Sequence, residues 1–255
     1  MRFVMEGGGI KFIQGKPALL SGETVAVADL HLGIEREFAA KGVRLGSLVD
    51  RLKKELAELI AEEKAKRLVI VGDVKHTIPG DEYPDTVALK AMLEELSSLA
   101  EVVIVPGNHD AGIASVAGRA RVAESCGVVV GGVGFAHGHA WPGEELMRAQ
   151  WLVVGHLHPC VEILEEGVRS VKPVWIVAEA DPKKLLAKYP KANKGLKLVV
   201  MPAFNPLVGG IPVNRERAGT MGPLLKGGIF KFADAQNYLL DGTGLGSVSS
   251  LRRQH

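Results

Sequence analysis

Val103–Asp110, VIVPGNHD, is an apolar run that breaks at Pro106–Gly107 and then presents Asn108, His109 and Asp110. A β-branched segment that halts at glycine and hands over polar side chains is how an α/β protein delivers chemistry. The strand ends, and the loop beyond its carboxyl end carries the functional groups. The pattern recurs four times. Thr24–His31 reads TVAVADLH, Leu68–His76 LVIVGDVKH, Val133–His139 VGFAHGH and Leu152–His158 LVVGHLH. Five strand-like runs each end in Asp, Asn or His, which predicts a metal site assembled from strand ends.

Outward from these runs, Leu45, Leu48, Leu52, Leu56, Leu59 and Ile60 keep the spacing of one helix face. That helix separates the strands Thr24–Ala28 and Leu68–Val71, so the two are expected to be parallel, with a right-handed crossover. A second helix, about Thr86–Leu99, is expected to bury Leu89, Met92, Leu93, Leu96 and Leu99 and to deliver Val102–Val105. Residues 1–23 read as an edge hairpin.

Past Gly127, short β-runs take over: Val128–Val130, Val133–Ala136, Leu152–Val154, Val161–Leu164, Val174–Ala178, Leu198–Met201 and Ile229–Phe232. Helical pattern remains only near Gly143–Gln150 and Pro182–Tyr189. A parallel half followed by a β-rich half predicts an α/β fold of two stacked, mixed β-sheets flanked by helices, a four-layer α/β/β/α sandwich. No linker-like segment divides it, so residues 1–255 are expected to form a single domain. Lys183–Lys197 reads as a solvated excursion. Asp241–His255 reads as a frayed tail whose Arg252–Arg253 pair needs no special role.

The 255 residues suffice for a large core, and a formal net charge of +2 carries no footprint of a dedicated nucleic-acid binder. Cys126 and Cys160 form no CxxC and are too few for a disulfide framework, so free thiols are expected. No apolar run reaches the ~18 residues that span a bilayer, and the first residues lack a leader's apolar core. A cytoplasmic protein with no membrane partner is expected.

Seven of the eight histidines lie on or beside the five loops: His31, His76, His109, His137, His139, His156 and His158. For one histidine, a hydrogen-bonded loop residue is the ordinary reading; for five loops together, a shared centre is the better one. Imidazole with carboxylate is the ligand set of transition-metal sites, whereas Mg²⁺ or Ca²⁺ asks for oxygen. The ligands outnumber the needs of one tetrahedral ion, which points to two.

Asp29-x-His31, Gly72–Asp73, Gly107–Asn108–His109–Asp110, His137–Gly138–His139 and Gly155–His156–Leu157–His158 resemble, in order and spacing, the five signature motifs of calcineurin-like metallophosphoesterases. The short Asp73–Val74–Lys75–His76 variant is similar to the small SbcD-related, ICC-like or DNA-ligase-associated branch. The resemblance implies that Asp29, His31 and His158 hold one metal ion, and that Asn108, His137 and His156 hold the other. Asp73 would bridge the two ions, most readily Mn²⁺, with Fe, Zn or Ni as alternatives. It also implies a phosphodiesterase in which a hydroxide between the ions attacks phosphorus. His109 would be the general acid, its ring oriented by Asp110.

Other residues carry weaker signals. His139 is expected behind the ligands. His76 stands where the family often has an acid or amide, and is read as orienting Asp73, meeting substrate or serving the loop. Lys75 is read as a phosphate contact or an exposed lysine, and Cys160 as a buried bystander. Asn205, in MPAFNP, either turns to the cleft or is architectural. Arg215 and Arg217 are candidate substrate contacts. Small or nucleotide-derived diesters are the leading substrates. A DNA-processing nuclease is the alternative, although charge balance offers little duplex affinity. A non-catalytic binding scaffold ranks last, because every motif position is intact. Strand edges near residues 1–20 and 229–240 leave room for a homodimer.

Overall fold

The computed structural model describes residues 2–4, 9–76, 85–215 and 222–252. The first sheet has seven strands in sequence order: β1 (Arg2–Val4), β2 (Lys11–Ile13), β3 (Ala18–Ser21), β4 (Thr24–Ala28), β5 (Arg67–Val71), β6 (Glu101–Val105) and β7 (Arg121–Val122). β1 to β4 pair antiparallel, and β4 to β7 pair parallel. The parallel part needs crossovers, and two amphipathic helices supply them. After a short α1 (Glu35–Ala40), α2 (Leu48–Glu63) starts at a Ser47 cap whose hydroxyl accepts from Asp50 N, and α3 (Thr86–Leu99) starts at an Asp85 cap.

The second sheet runs β14-β11-β12-β13-β10-β9-β8. These are β8 (Val128–Val130), β9 (Val133–Ala136), β10 (Trp151–Val154), β11 (Pro159–Glu165), β12 (Val168–Glu179), β13 (Lys197–Val200) and β14 (Ile211–Pro212). β15 (Gln236–Leu239) adds to β12, and β16 (Gly244–Ser247) adds to β15. Three helices accompany them: α4 (Pro182–Lys188), α5 (Pro223–Lys226) and α6 (Val248–Arg252).

Strand alternation builds the layers. Val25, Val27, Leu68, Ile70, Val102 and Ile104 face the core that holds α2 and α3. Their neighbours Ala26, Ala28, Val69, Val71, Val103 and Val105 face the other sheet and meet Val153, Trp175, Val199 and Met201. Phe12 stacks on Trp175 across this gap, with ring centroids 4.1 Å apart. Leu152, Val154, Ile176, Leu198 and Val200 point to the outer core beneath α4, α5 and α6. The α/β/β/α sandwich is therefore present, with both sheets mixed.

Several local expectations change. Asp241–His255 is no frayed tail up to residue 252: β16 pairs with β15, and Val248 and Leu251 of α6 are buried in the outer core. Glycines there suit strand pairing and a tight turn, which composition alone reads as disorder. Ile229–Phe232 forms only a bridge from Phe230 to Ala180, and the strand lies later, at β15. The edge near residues 229–240 is consequently covered by β16. Lys183–Lys197 is a folded segment, with Leu185, Tyr189 and Leu196 buried. Leu99 is 51% exposed because α3 ends there, and Leu45 lies before α2. Arg217, Arg253 and His255 fall outside the described residues.

Candidate metal centre

The loops after β4, β5, β6, β9 and β10 meet where the carboxyl ends of the two sheets converge. Pairing between β4 and β5 continues past the strands: His31 N donates to Asp73 O at 2.8 Å, Leu32 N to Val74 O at 2.9 Å and His76 N to Leu32 O at 2.7 Å. Turning the side chains inward needs an unusual backbone. Asp29, His31, Asp73, His156 and His158 all have positive φ, between 33° and 70°. Such conformations cost non-glycine residues of order 1–3 kcal/mol each, and they persist where the surroundings over-determine them. Close approach matters too. A Cβ on Gly72 would stand 1.7 Å from His137 Nδ1, and one on Gly107 would stand 2.1 Å from Asp73 Oδ1.

Two groups of potential ligands result: Asp29, His31 and His158, and Asp73, His137 and His156. Asp73 lies between them, its Oδ2 being 3.6 Å from His31 Nε2 and 3.3 Å from His137 Nε2. Asn108 joins the second group, with Oδ1 3.2 Å from His137 Nε2. His156 donates its backbone N–H to Asp29 Oδ2 at 2.9 Å, which ties the two groups together.

Ring nitrogens are sorted by their outer partners. His158 Nδ1 lies 3.2 Å from Gly209 O, so it donates there and its Nε2 faces Asp29 Oδ2 at 3.5 Å. His31 Nδ1 lies 3.0 Å from His76 Nδ1, and His76 Nε2 lies 2.8 Å from Glu37 Oε1. The two inward nitrogens, His31 Nε2 and His158 Nε2, are 3.2 Å apart. That is close to the separation of two ligands each about 2.1 Å from one cation.

The centre's electrostatics express the same crowding. Burial lowers His31 to about 4 and His156 to about 4, outweighing nearby carboxylates. Burial also opposes charge on Asp73, yet its hydrogen bond and ion pair with His137, and the His109 N–H, hold this carboxyl well below the usual range. His137 and His158 resist the same burial: Asp73 with Asp29 raises the first, and Asp29 chiefly raises the second. Asp29 Oδ1 and His137 Nδ1 are buried without a hydrogen-bond partner. Unsatisfied buried donors and acceptors are costly. A divalent cation is what this carboxylate-imidazole set lacks, and the residues fit two such ions.

The remaining residues sort differently. Asp110 is buried and accepts from Gly107 N, Val74 N and Lys75 N, joining the β6 loop to the β5 loop. His109 donates its N–H to Asp73 Oδ1 at 3.0 Å, and its ring stacks on His76 with centroids 5.6 Å apart. His76 approaches His31 and Glu37, rather than orienting Asp73. Lys75 is not exposed: it is buried, and Nζ donates to Ala111 O at 2.6 Å. Asn205 is buried, and its amide donates to Leu30 O at 2.8 Å, bracing the first loop. Arg215 pairs with Glu162, which also holds Arg169 at 3.0 Å. His139 packs 5.1 Å from the His137 ring, outside both groups. Cys160 is buried, and burial lifts its thiol to about 11. Sequence reasoning missed Glu37 and the Gly209 carbonyl, because neither carries a motif and a main-chain acceptor carries no signal.

No described helix is long and apolar enough to cross a membrane. A search of curated protein sequences found no match. Among solved structures, the chain is similar to the nuclease MPE of Pseudomonas putida at 18% identity, with 96% of this chain and 99% of that chain covered and a TM-score of 0.61. It is also similar to the E. coli phosphoesterase YfcE at 22% identity, with 57% and 75% covered and a TM-score of 0.36. The first likeness concerns the fold. The family model for calcineurin-like phosphoesterases matches residues 23–160, all five strand-end loops included, and this chain belongs to that family of metal-dependent phosphoester hydrolases.

Proposed function

We propose that this chain is a phosphodiesterase of small or nucleotide-derived diesters, acting with two divalent transition-metal ions, Mn²⁺ foremost. One observation carries the reading: Oδ2 of Asp73, in the Asp73–His137–His156 group, lies 3.3 Å from His137 Nε2 and 3.6 Å from Nε2 of His31, in the Asp29–His31–His158 group. Asp29, His31 and His158 would hold one ion, Asn108, His137 and His156 the other, with Asp73 shared. When bound, the ions supply Lewis acidity to the phosphoryl oxygens and lower the pKa of water.

The chain's own groups do the rest. His109 is pinned through its backbone to Asp73, and its ring centroid lies 5.3 Å from that of His31. From there it protonates the departing alkoxide, a contribution of about 10²–10⁴ in rate. Asp110 supports that role by locking the loop through three backbone N–H groups. The core shared by both sheets supports one domain across the chain. The free thiols suit a cytoplasmic setting. Hydrolysis of bis(4-nitrophenyl) phosphate with Mn²⁺, abolished by chelation, is the expected result. No hydrolysis with Mn²⁺, Fe²⁺, Zn²⁺ or Ni²⁺ would overturn the reading.

A further inference from the structure

A cavity of about 940 Å³ opens beside the candidate metal centre, and His158 belongs to both. The Nε2 of His158 faces Asp29, while its Nδ1 faces the carbonyl of Gly209, a residue of the cavity wall. Phe204, Leu207, Pro173, Val171 and Leu240 make the walls apolar. Val171 is 55% exposed there. The volume and lining are those of a small-molecule site.

The charged groups at this cavity limit what enters. Glu55, Glu58 and Lys16 line it, and each is already paired: Glu55 with Arg51 at 3.7 Å, Glu58 with Lys54 at 3.8 Å and Lys16 with Glu62 at 2.7 Å. Among its described lining residues there is therefore no unpaired cation for a phosphate to meet. Building on the phosphodiesterase reading, we infer that this cavity seats an uncharged organic arm of the diester, such as a nucleoside. Terminal nucleosides and small diesters are accepted, whereas the middle of a strand, which continues into another phosphate, is disfavoured because that charge would lose water without gaining a partner.

The test uses the full chain. Binding of adenosine to the metal-free protein is followed by saturation-transfer NMR in wild type and Val171→Trp, a substitution that suits a strand and fills the mouth. The Mn²⁺-loaded forms are assayed on adenylyl-adenosine, on the same dinucleotide carrying a terminal phosphate, and on methyl 4-nitrophenyl phosphate. Val171→Trp is expected to abolish the adenosine signal and to lower kcat/KM for adenylyl-adenosine about tenfold, a typical effect of altering an apolar pocket. The methyl ester is expected to be unaffected. In wild type the terminal phosphate is expected to cost about tenfold, because no unpaired cation of the cavity replaces its water. Unchanged adenosine binding and dinucleotide kinetics in Val171→Trp would overturn the cavity assignment. A terminal phosphate that costs nothing would overturn the preference for an uncharged arm. Absence of hydrolysis of every ester would overturn the phosphodiesterase reading instead, and the adenosine experiment would still decide the cavity.

Discussion

The Nδ1 atoms of His31 and His76 lie 3.0 Å apart, so only one of them carries the shared proton. Glu37, 2.8 Å from His76 Nε2, decides which. A carboxylate takes the Nε2–H of a neutral His76, leaving its Nδ1 as the acceptor for His31 Nδ1–H. The His31 Nε2 lone pair then points at Asp73 and His158. Glu37, outside every motif, thus reaches the ligand group through two imidazoles.

Removal of His76 is therefore expected to weaken divalent-ion binding by about 10–100-fold, the usual scale for partners of metal-bound histidines. Calorimetry with Mn²⁺ checks this. His76→Ala is expected to lose most, Glu37→Gln less because its amide oxygen still accepts, and His76→Gln should recover part of the affinity. Unchanged affinity in His76→Ala would reduce the residue to loop packing.

Asp73 faces both groups, so Asp73→Ala is expected to empty both, whereas Asp29→Ala should chiefly affect one. Metal content by mass spectrometry distinguishes the two. Loss of a single ion from Asp73→Ala would show that the carboxylate is not shared.

His109→Ala is expected to keep both ions and to slow turnover about 10²–10⁴-fold for esters with poor leaving groups. The effect should shrink for 4-nitrophenyl esters, whose leaving group needs no proton. Equal losses on both substrate types would reject His109 as the acid.

The metal-free chain is expected to be most stable near pH 6.5. His31 and His156, held to about 4 by burial, stay neutral where the unfolded chain takes up protons, so stability falls as pH drops from about 6.5 to about 4. His137 and His158 are raised, so their contribution is complete below the unfolded value and is lost as pH rises through their folded values. Thermal midpoints in EDTA should show a maximum. With metal present the alkaline decline should vanish, because ions replace those protons and binding tightens as they leave.

Trp175 is fully buried between the sheets against Phe12. Trp175→Ala is expected to cost about 3–5 kcal/mol by denaturant unfolding, the range for losing a large core aromatic. A loss below about 1 kcal/mol would mean that the inter-sheet core repacks around the gap.

Much of this protein was legible in the chain itself. Apolar runs such as VIVPGNHD and LVVGHLH state where buried strands stop, because burial on both faces selects unbroken β-branched residues, and Gly107 and Gly155 then leave room for Asp73 and Asp29. The spacing of Leu48 to Ile60 states where a helix covers the sheet. Less was legible where polarity and glycine dominate. β16 and α6 follow a Gly-rich stretch whose order comes from pairing with β15 and from burying Val248 and Leu251. Lys75 looked exposed by residue type and is buried because Ala111 O and its own stem find room there.

Chain order alone thus set the kinds of ligand and the strand ends that present them, since both follow from local pattern. Packing set everything that depends on distance: Asp73 standing between two groups, His76 turning to Glu37, Arg215 spent on Glu162, and a cavity walled from β12, α2 and the 203–210 loop. Residues dozens of positions apart acquire a shared proton, charge or void only when the two sheets close on one another. No local periodicity encodes that encounter.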